Sequence, residues 1–133
     1  MKPSCEGQVS PIVYACSGGS NAGQMTTEAA VQLDEMGIAR MGCLAGLGGH
    51  ISGLIDAAKS GAPLLVLDGC SVACAKKTVD HLELRDYAYV EVTALGIEKN
   101  HNIRQTPEHH IKTIVEAAQK VLSELPKTSG CCS

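Results

Sequence analysis

Four cysteines within the chain, Cys16, Cys43, Cys70 and Cys74, are the residues best suited to chemistry. They belong to a set of seven in 133 residues. The number is odd, and the start "MKPSCEGQVSP" lacks the apolar run of a secretory leader, so no disulfide framework is expected. In a reducing compartment, surplus thiols bind metal, exchange disulfides or carry sulfur; otherwise they act as small core residues. The stretch "LLVLDGCSVACAKK" (64–77) poses the choice sharply, because an apolar run meets Asp68, Gly69 and two cysteines four apart. The position of each sulfur in the fold decides what it can do.

The elements that must position them follow from hydrophobic period and turn residues. "PIVYAC" (11–16) reads as a strand, and "AGQMTTEAAVQLDEMG" (22–37) as a helix with Met25, Ala29, Ala30, Leu33 and Met36 on one stripe. "IARMGCLAG" (38–46) reads as a weaker strand leading into a glycine-rich turn, and 51–61 as a short helix. "APLLVLDGC" (62–70) is continuously apolar, as expected of a parallel strand covered on both faces. Helix 71–84, strand 87–95, a polar loop at 96–106 and helix 107–125, opening at Pro107, complete the series. Four strands alternating with four helices predict an α/β fold, a three-layer, doubly wound, Rossmann- or flavodoxin-like sheet of parallel strands in order 2-1-3-4. The expected layout is an N-terminal extension (1–10), one domain (11–126) and a tail (127–133) carrying Cys131 and Cys132.

In a parallel sheet every strand ends at the same edge, and ligands bind there at the point where the strand order reverses. Cys16, Cys43 and Cys70 each close a strand in this reading, and Cys74 lies one turn into the next helix, sharing a face with Cys70. The free N–H groups and positive end of that helix favour thiolate there. Four thiolates meeting at one point are the ligand set of a tetrahedral Zn2+; three would leave an open position. The pair is spaced C-x3-C rather than C-x2-C, which leaves room for an iron–sulfur cluster or a dithiol. In the alternative reading, a thiol-based redox enzyme or sulfur carrier, Cys16 attacks and Cys70 or Cys74 resolves. The loop "SGGSNAGQ" offers backbone N–H groups at Ser17, Gly18, Gly19, Ser20 and Asn21 for a small oxyanion or sulfur species.

"YACSGGSNAGQ", "CLAGLGG" and "LLVLDGCSVACAKK" together resemble the DGC-domain family, named for the run that stands here as Asp68-Gly69-Cys70. The resemblance spans roughly residues 11–100. It implies a zinc site built from cysteines, which falls here on Cys16, Cys43, Cys70 and Cys74; it implies no settled biochemical role. Members often read Cys-Ser-Gly-Cys where this chain has Cys16-Ser17-Gly18-Gly19, so one thiol of the family pattern is missing. The first loop also looks like the phosphate loop of low-molecular-weight tyrosine phosphatases and related arsenate reductases. Those enzymes need an arginine six residues after the cysteine, and here that position is Ala22. Without a guanidinium fork, phosphatase chemistry is not expected.

Other candidates have weaker signals. "AGLGGHISG" fails the dinucleotide pattern because its sixth position is Ile51. His50 could support a ligand beside Cys43, and Asp68 could cap its turn or act as a base. Lys76 and Lys77 could act on the Cys74 thiol. His81, His101, His109 and His110 read as solvated. A net charge of -3, with three Tyr and no Phe or Trp, removes the basic footprint and stacking surfaces of a nucleic-acid binder. No apolar run is long enough for a membrane span. The expectation is a cytoplasmic protein whose partner is a metal ion or a small oxyanion or sulfur species.

Overall fold

A computed structural model of the chain describes residues 10–126. The expected extension, apart from residue 10, and the tail with Cys131 and Cys132 lie outside these residues. The elements run β1 (Ile12–Ala15), α1 (Asn21–Glu35), β2 (Arg40–Met41), α2 (Leu44–Gly48), α3 (Ser52–Ala58), β3 (Leu64–Asp68), α4 (Cys74–His81), β4 (Ala88–Glu91), a 3-10 turn (Val92–Leu95) and α5 (Glu108–Ser123). All three strand pairings are parallel and the order is β2-β1-β3-β4, as the sequence predicts.

The continuous apolar runs of β1 and β3 resolve into two faces because successive side chains alternate. Val13, Ala15, Leu65 and Leu67 join Ala88 and Val90 under α1 and α5. Ile12, Tyr14, Leu64 and Val66 face the other way and pack with Leu47, Ala58, Ala75 and Val79 from α2, α3 and α4. Both faces are thus closed mainly by aliphatic side chains, joined by Tyr14 on the second face.

Several boundaries differ from the sequence reading. The second strand shrinks to two exposed residues, and "LAGLG" forms helix α2 instead of a turn. Gly42 makes this possible: a Cβ there would come within 2.5 Å of the Tyr14 ring, so only glycine lets the chain cross that ring and turn early. Leu47 then enters the core fully buried. The third strand stops at Asp68 rather than Cys70, and the next helix starts at Cys74 rather than residue 71. A turn at 70–73, closed by the Ala73 N–H donating to the Cys70 carbonyl at 3.1 Å, separates them. Ala73 sits in the left-handed region (φ 58°), which breaks any helix spanning both cysteines. The fourth strand yields after Glu91 to the 3-10 turn. Pro107 stands just outside α5 with ψ 143°, as its cap rather than its first helical residue.

Candidate functional site

Parallel strands bring Cys16, immediately after β1, Cys43, two residues after β2, and Cys70, two residues after β3, to the carboxyl edge of the sheet. There they divide between two clefts. A smaller cleft of about 260 Å³ is lined by Cys16, Cys70 and Cys74 together with Gly18, Gly19, Asp68, Lys99 and His101. A larger one of about 760 Å³ holds Cys43 and shares Cys16 with the first. All four thiols are free. Among the described residues, no three His, Cys, Asp or Glu side chains stand close enough to hold a metal ion as placed.

The smaller cleft exists because three backbones touch. A Cβ on Gly69 would lie 2.7 Å from the Gly23 nitrogen and 2.9 Å from the Ala22 carbonyl carbon. One on Gly23 would lie 2.5 Å from the Gly18 oxygen. The exit of β3 therefore rests on the start of α1, which rests on the loop after β1, and the turns carrying Cys70 and Cys16 are drawn together.

Asp68, only 1% exposed, holds the second wall. Its carboxylate accepts the N–H groups of Ala75 (2.8 Å) and Lys76 (2.9 Å) and the hydroxyl of Tyr89 (2.9 Å). It therefore caps α4 from the end of β3, seven residues upstream, instead of using the usual N-cap position. Two helix N–H groups expected to be free for a thiolate are occupied by this carboxylate. Cys70 and Cys74 do not share a helical face, because the turn at 70–73 intervenes.

The loop after β1 is in part committed to its own structure. The Ser17 N–H donates to Thr26 Oγ1 at 3.1 Å, and the Ser20 hydroxyl caps α1 by accepting from the Gly23 N–H. Asn21 is a tether: its N–H donates to the Asn100 carbonyl, its Nδ2 to the Glu98 carbonyl, and its Oδ1 accepts the Asn100 N–H. Among the described residues, the N–H groups of Gly18, Gly19 and Ser20 in the segment 17–21 lack a protein acceptor, whereas those of Ser17 and Asn21 are taken.

That tether delivers two residues that sequence reasoning did not place here. Lys99 Nζ donates to Cys70 Sγ at 3.4 Å, and His101 lines the same cleft. Their loop is fixed by Asn21, far away in sequence, and has no local signature. Lys76, expected to act on Cys74, instead donates to the Tyr87 hydroxyl at 2.9 Å and pairs loosely with Asp80. His50 lines neither cleft; its Nε2 lies 2.8 Å from His81 Nε2, bridging the α2–α3 turn to the end of α4.

Three motifs, the touching glycines, the Asp68 cap and the cysteines at strand ends, now stand in one arrangement, and the family model of the DGC domain matches residues 12–118. The chain belongs to the DGC-domain family. A relative, the anaerobic and virulence modulator AnvM of Pseudomonas aeruginosa (strain PAO1), is 38% identical over 91 residues, covering 68% of this chain and 70% of that protein. No solved structure matches. In this DGC domain no helix of the described residues is long and apolar enough to cross a membrane.

Burial raises the pKa of Tyr89 well above that of an ordinary tyrosine, and its hydrogen bond to the Asp68 carboxylate raises it further. A proton held more tightly in the fold than in the unfolded chain stabilises the fold fully below the ordinary tyrosine value of 10.0. That contribution is lost as pH rises past that value. In the DGC domain, Tyr89→Phe should therefore flatten the fall in stability above pH 10, by about one fewer proton taken up on folding. Urea unfolding between pH 8 and 11 measures this, and an unchanged alkaline slope would count against it.

Proposed function

We propose that this DGC-domain protein binds Zn2+ in the smaller cleft through Cys16, Cys70 and Cys74, with His101 as the fourth ligand, and that Cys43 stands outside the site. The observation that carries this reading is that these four side chains line one cleft of about 260 Å³ at the sheet's carboxyl edge. Three thiolates and an imidazole suit a borderline-soft, tetrahedral ion. Their charge with the ion sums to minus one, and Lys99, whose ammonium already contacts Cys70, offsets it. The donors must close on the ion, so binding is coupled to local ordering of the turn at 70–73. Because Cys74 is exposed and neither hydrophobic cluster includes Cys70 or Cys74, the site suits exchange or sensing rather than structural support. This role needs a reducing compartment, such as the cytoplasm. Likeness to a protein named for anaerobic modulation fits a site whose thiols release metal when oxidised.

Metal analysis after anaerobic purification with zinc supplied should find about one ion per chain. Cys70→Ser and Cys74→Ser should lower affinity at least about tenfold, while Cys43→Ser should not. A Cβ on Gly19 meets nothing within 4 Å, and Gly19 lines the same cleft. Gly19→Cys, which restores the family's Cys-Ser-Gly-Cys pattern, should therefore tighten binding. Zinc-free protein under these conditions would retire the proposal.

The contact between Lys99 and Cys70 also favours a second reading, thiol–disulfide exchange. Here Cys16 attacks a disulfide substrate and expels one thiolate, and Cys70 or Cys74 then displaces the other by closing a disulfide with Cys16. The free N–H groups of Gly18 and Gly19 would face an anionic part of that substrate. Thiol titration separates the two readings. A chelator that exposes about three further thiols supports zinc, whereas one fast thiol indifferent to chelator supports exchange.

A further inference from the structure

The larger cleft carries recognition groups of its own and shares only Cys16 with the proposed zinc donors. At about 760 Å³ it falls within the size range of small-molecule sites. Its floor is one face of β1, and its sides are β2, α2 and α3. Most of the lining is aliphatic, including Leu44, Leu54 and Ala57. Besides the Ser17 and Thr78 hydroxyls and the Cys16 and Cys43 thiols, two stronger polar groups, Tyr14 and Arg40, break that lining. Tyr14 is only 2% exposed, yet among the described residues its hydroxyl has no hydrogen-bond partner. Among the described residues no fully enclosed side-chain oxygen or nitrogen lacks a partner, so the hydroxyl is not sealed in the core but reaches the cleft it lines. Arg40, at the cleft mouth on β2, makes no ion pair among the described residues.

Arg40 pairs with Ile12 across β1 and β2, and Ile12 shares a face of β1 with Tyr14, so both donors line one cleft. Cys43 lines the same cleft. A buried donor without an acceptor costs free energy unless water or a ligand satisfies it. A guanidinium and a hydroxyl lining one cleft suit the two oxygens of a carboxylate.

We propose that this cleft binds a small organic carboxylate with an apolar body. The carboxylate sits on Arg40 and Tyr14, and the body lies along Leu44, Leu54 and Ala57. The bound molecule is then held against Cys43 and beside Cys16, the thiol shared with the smaller cleft. The site does not depend on zinc binding, but its occupant would control access to Cys16.

Cys43 provides the reporter. Iodoacetate and iodoacetamide have nearly the same size but differ in charge, so their rates of alkylating Cys43, read by peptide mass spectrometry and normalised to a small free thiol, measure recognition of the carboxylate. The anionic reagent should gain about three- to tenfold over the neutral one at Cys43. Arg40→Gln, at an exposed position, and Tyr14→Phe, which keeps the buried ring, should return the ratio to the free-thiol value. Octanoate should protect Cys43 from iodoacetamide, while octylamine should not. A ratio equal to that of the free thiol in the wild type, or equal protection by octanoate and octylamine, overturns the proposal. The measurement is made on full-length protein with and without chelator. Failure of zinc to bind leaves the expected ratio unchanged, so the two readings fail separately.

Discussion

Asp68→Ala should lower the stability of the domain by about 3 kcal/mol, with a fall in Tm of roughly 10 °C. The substitution leaves the N–H groups of Ala75 and Lys76 and the Tyr89 hydroxyl without their acceptor. Charge-assisted hydrogen bonds of this kind are each worth more than neutral ones, and donors left unsatisfied in a buried setting cost more than the bonds themselves. Helix α4 has only eight residues and no side-chain cap of its own, because Ala73 occupies the N-cap position. Nothing else in the turn replaces the lost acceptor. Asp68→Asn keeps one acceptor oxygen and should cost about half as much. Urea unfolding followed by circular dichroism tests the series. If Asp68→Ala were as stable as wild type, the carboxylate would not anchor α4. The loss should extend to the site, since Cys74 is the first residue of the helix this carboxylate anchors.

Gly69→Ala should be comparably damaging for a different reason. Its backbone needs no left-handed conformation; the constraint is the backbone of Ala22 and Gly23 on the other side of the contact. An added methyl would overlap main-chain atoms that cannot rotate away, so β3 and α1 must separate. Overpacking of this kind costs about 1–3 kcal/mol, and the upper end applies because both partners are backbone. Gly19→Ala is the control: it adds the same methyl in open space and should change stability by less than about 0.5 kcal/mol. Separation of the two elements should also loosen the smaller cleft, read as faster alkylation of Cys16 and Cys70 in Gly69→Ala than in Gly19→Ala. Equal stability and equal thiol rates in the two variants would show that the glycine contact does not draw the cysteine turns together.

In the Asp-Gly-Cys run, each residue has a distinct task. The carboxylate holds the helix, the glycine admits the neighbouring backbone, and the cysteine enters the cleft beyond them. The sequence pointed to Asp68 as a cap but assigned it to the local turn, because short-range capping rules look only three residues ahead. The connection to residues 75 and 76 depends on the turn at 70–73, whose left-handed Ala73 carries no sequence signal such as glycine or asparagine. The same turn explains why the C-x3-C spacing misled: four residues share a helical face only if a helix joins them. Lys99 was passed over and His101 read as solvated because their loop is polar and aperiodic, and its position follows from Asn21 meeting Asn100.

The sheet could be read before any coordinates, since "PIVYAC", "APLLVLDGC" and "YAYVEV" are local apolar runs whose length and flanking turns specify strands. Parallel pairing then requires their ends to share one edge, and this placed Cys16, Cys43 and Cys70 together at that edge. Which thiols face a common cleft was decided only by the tertiary structure. Close backbone contacts and long-range polar tethers divide the edge in two, and such contacts leave no periodic trace in a linear sequence.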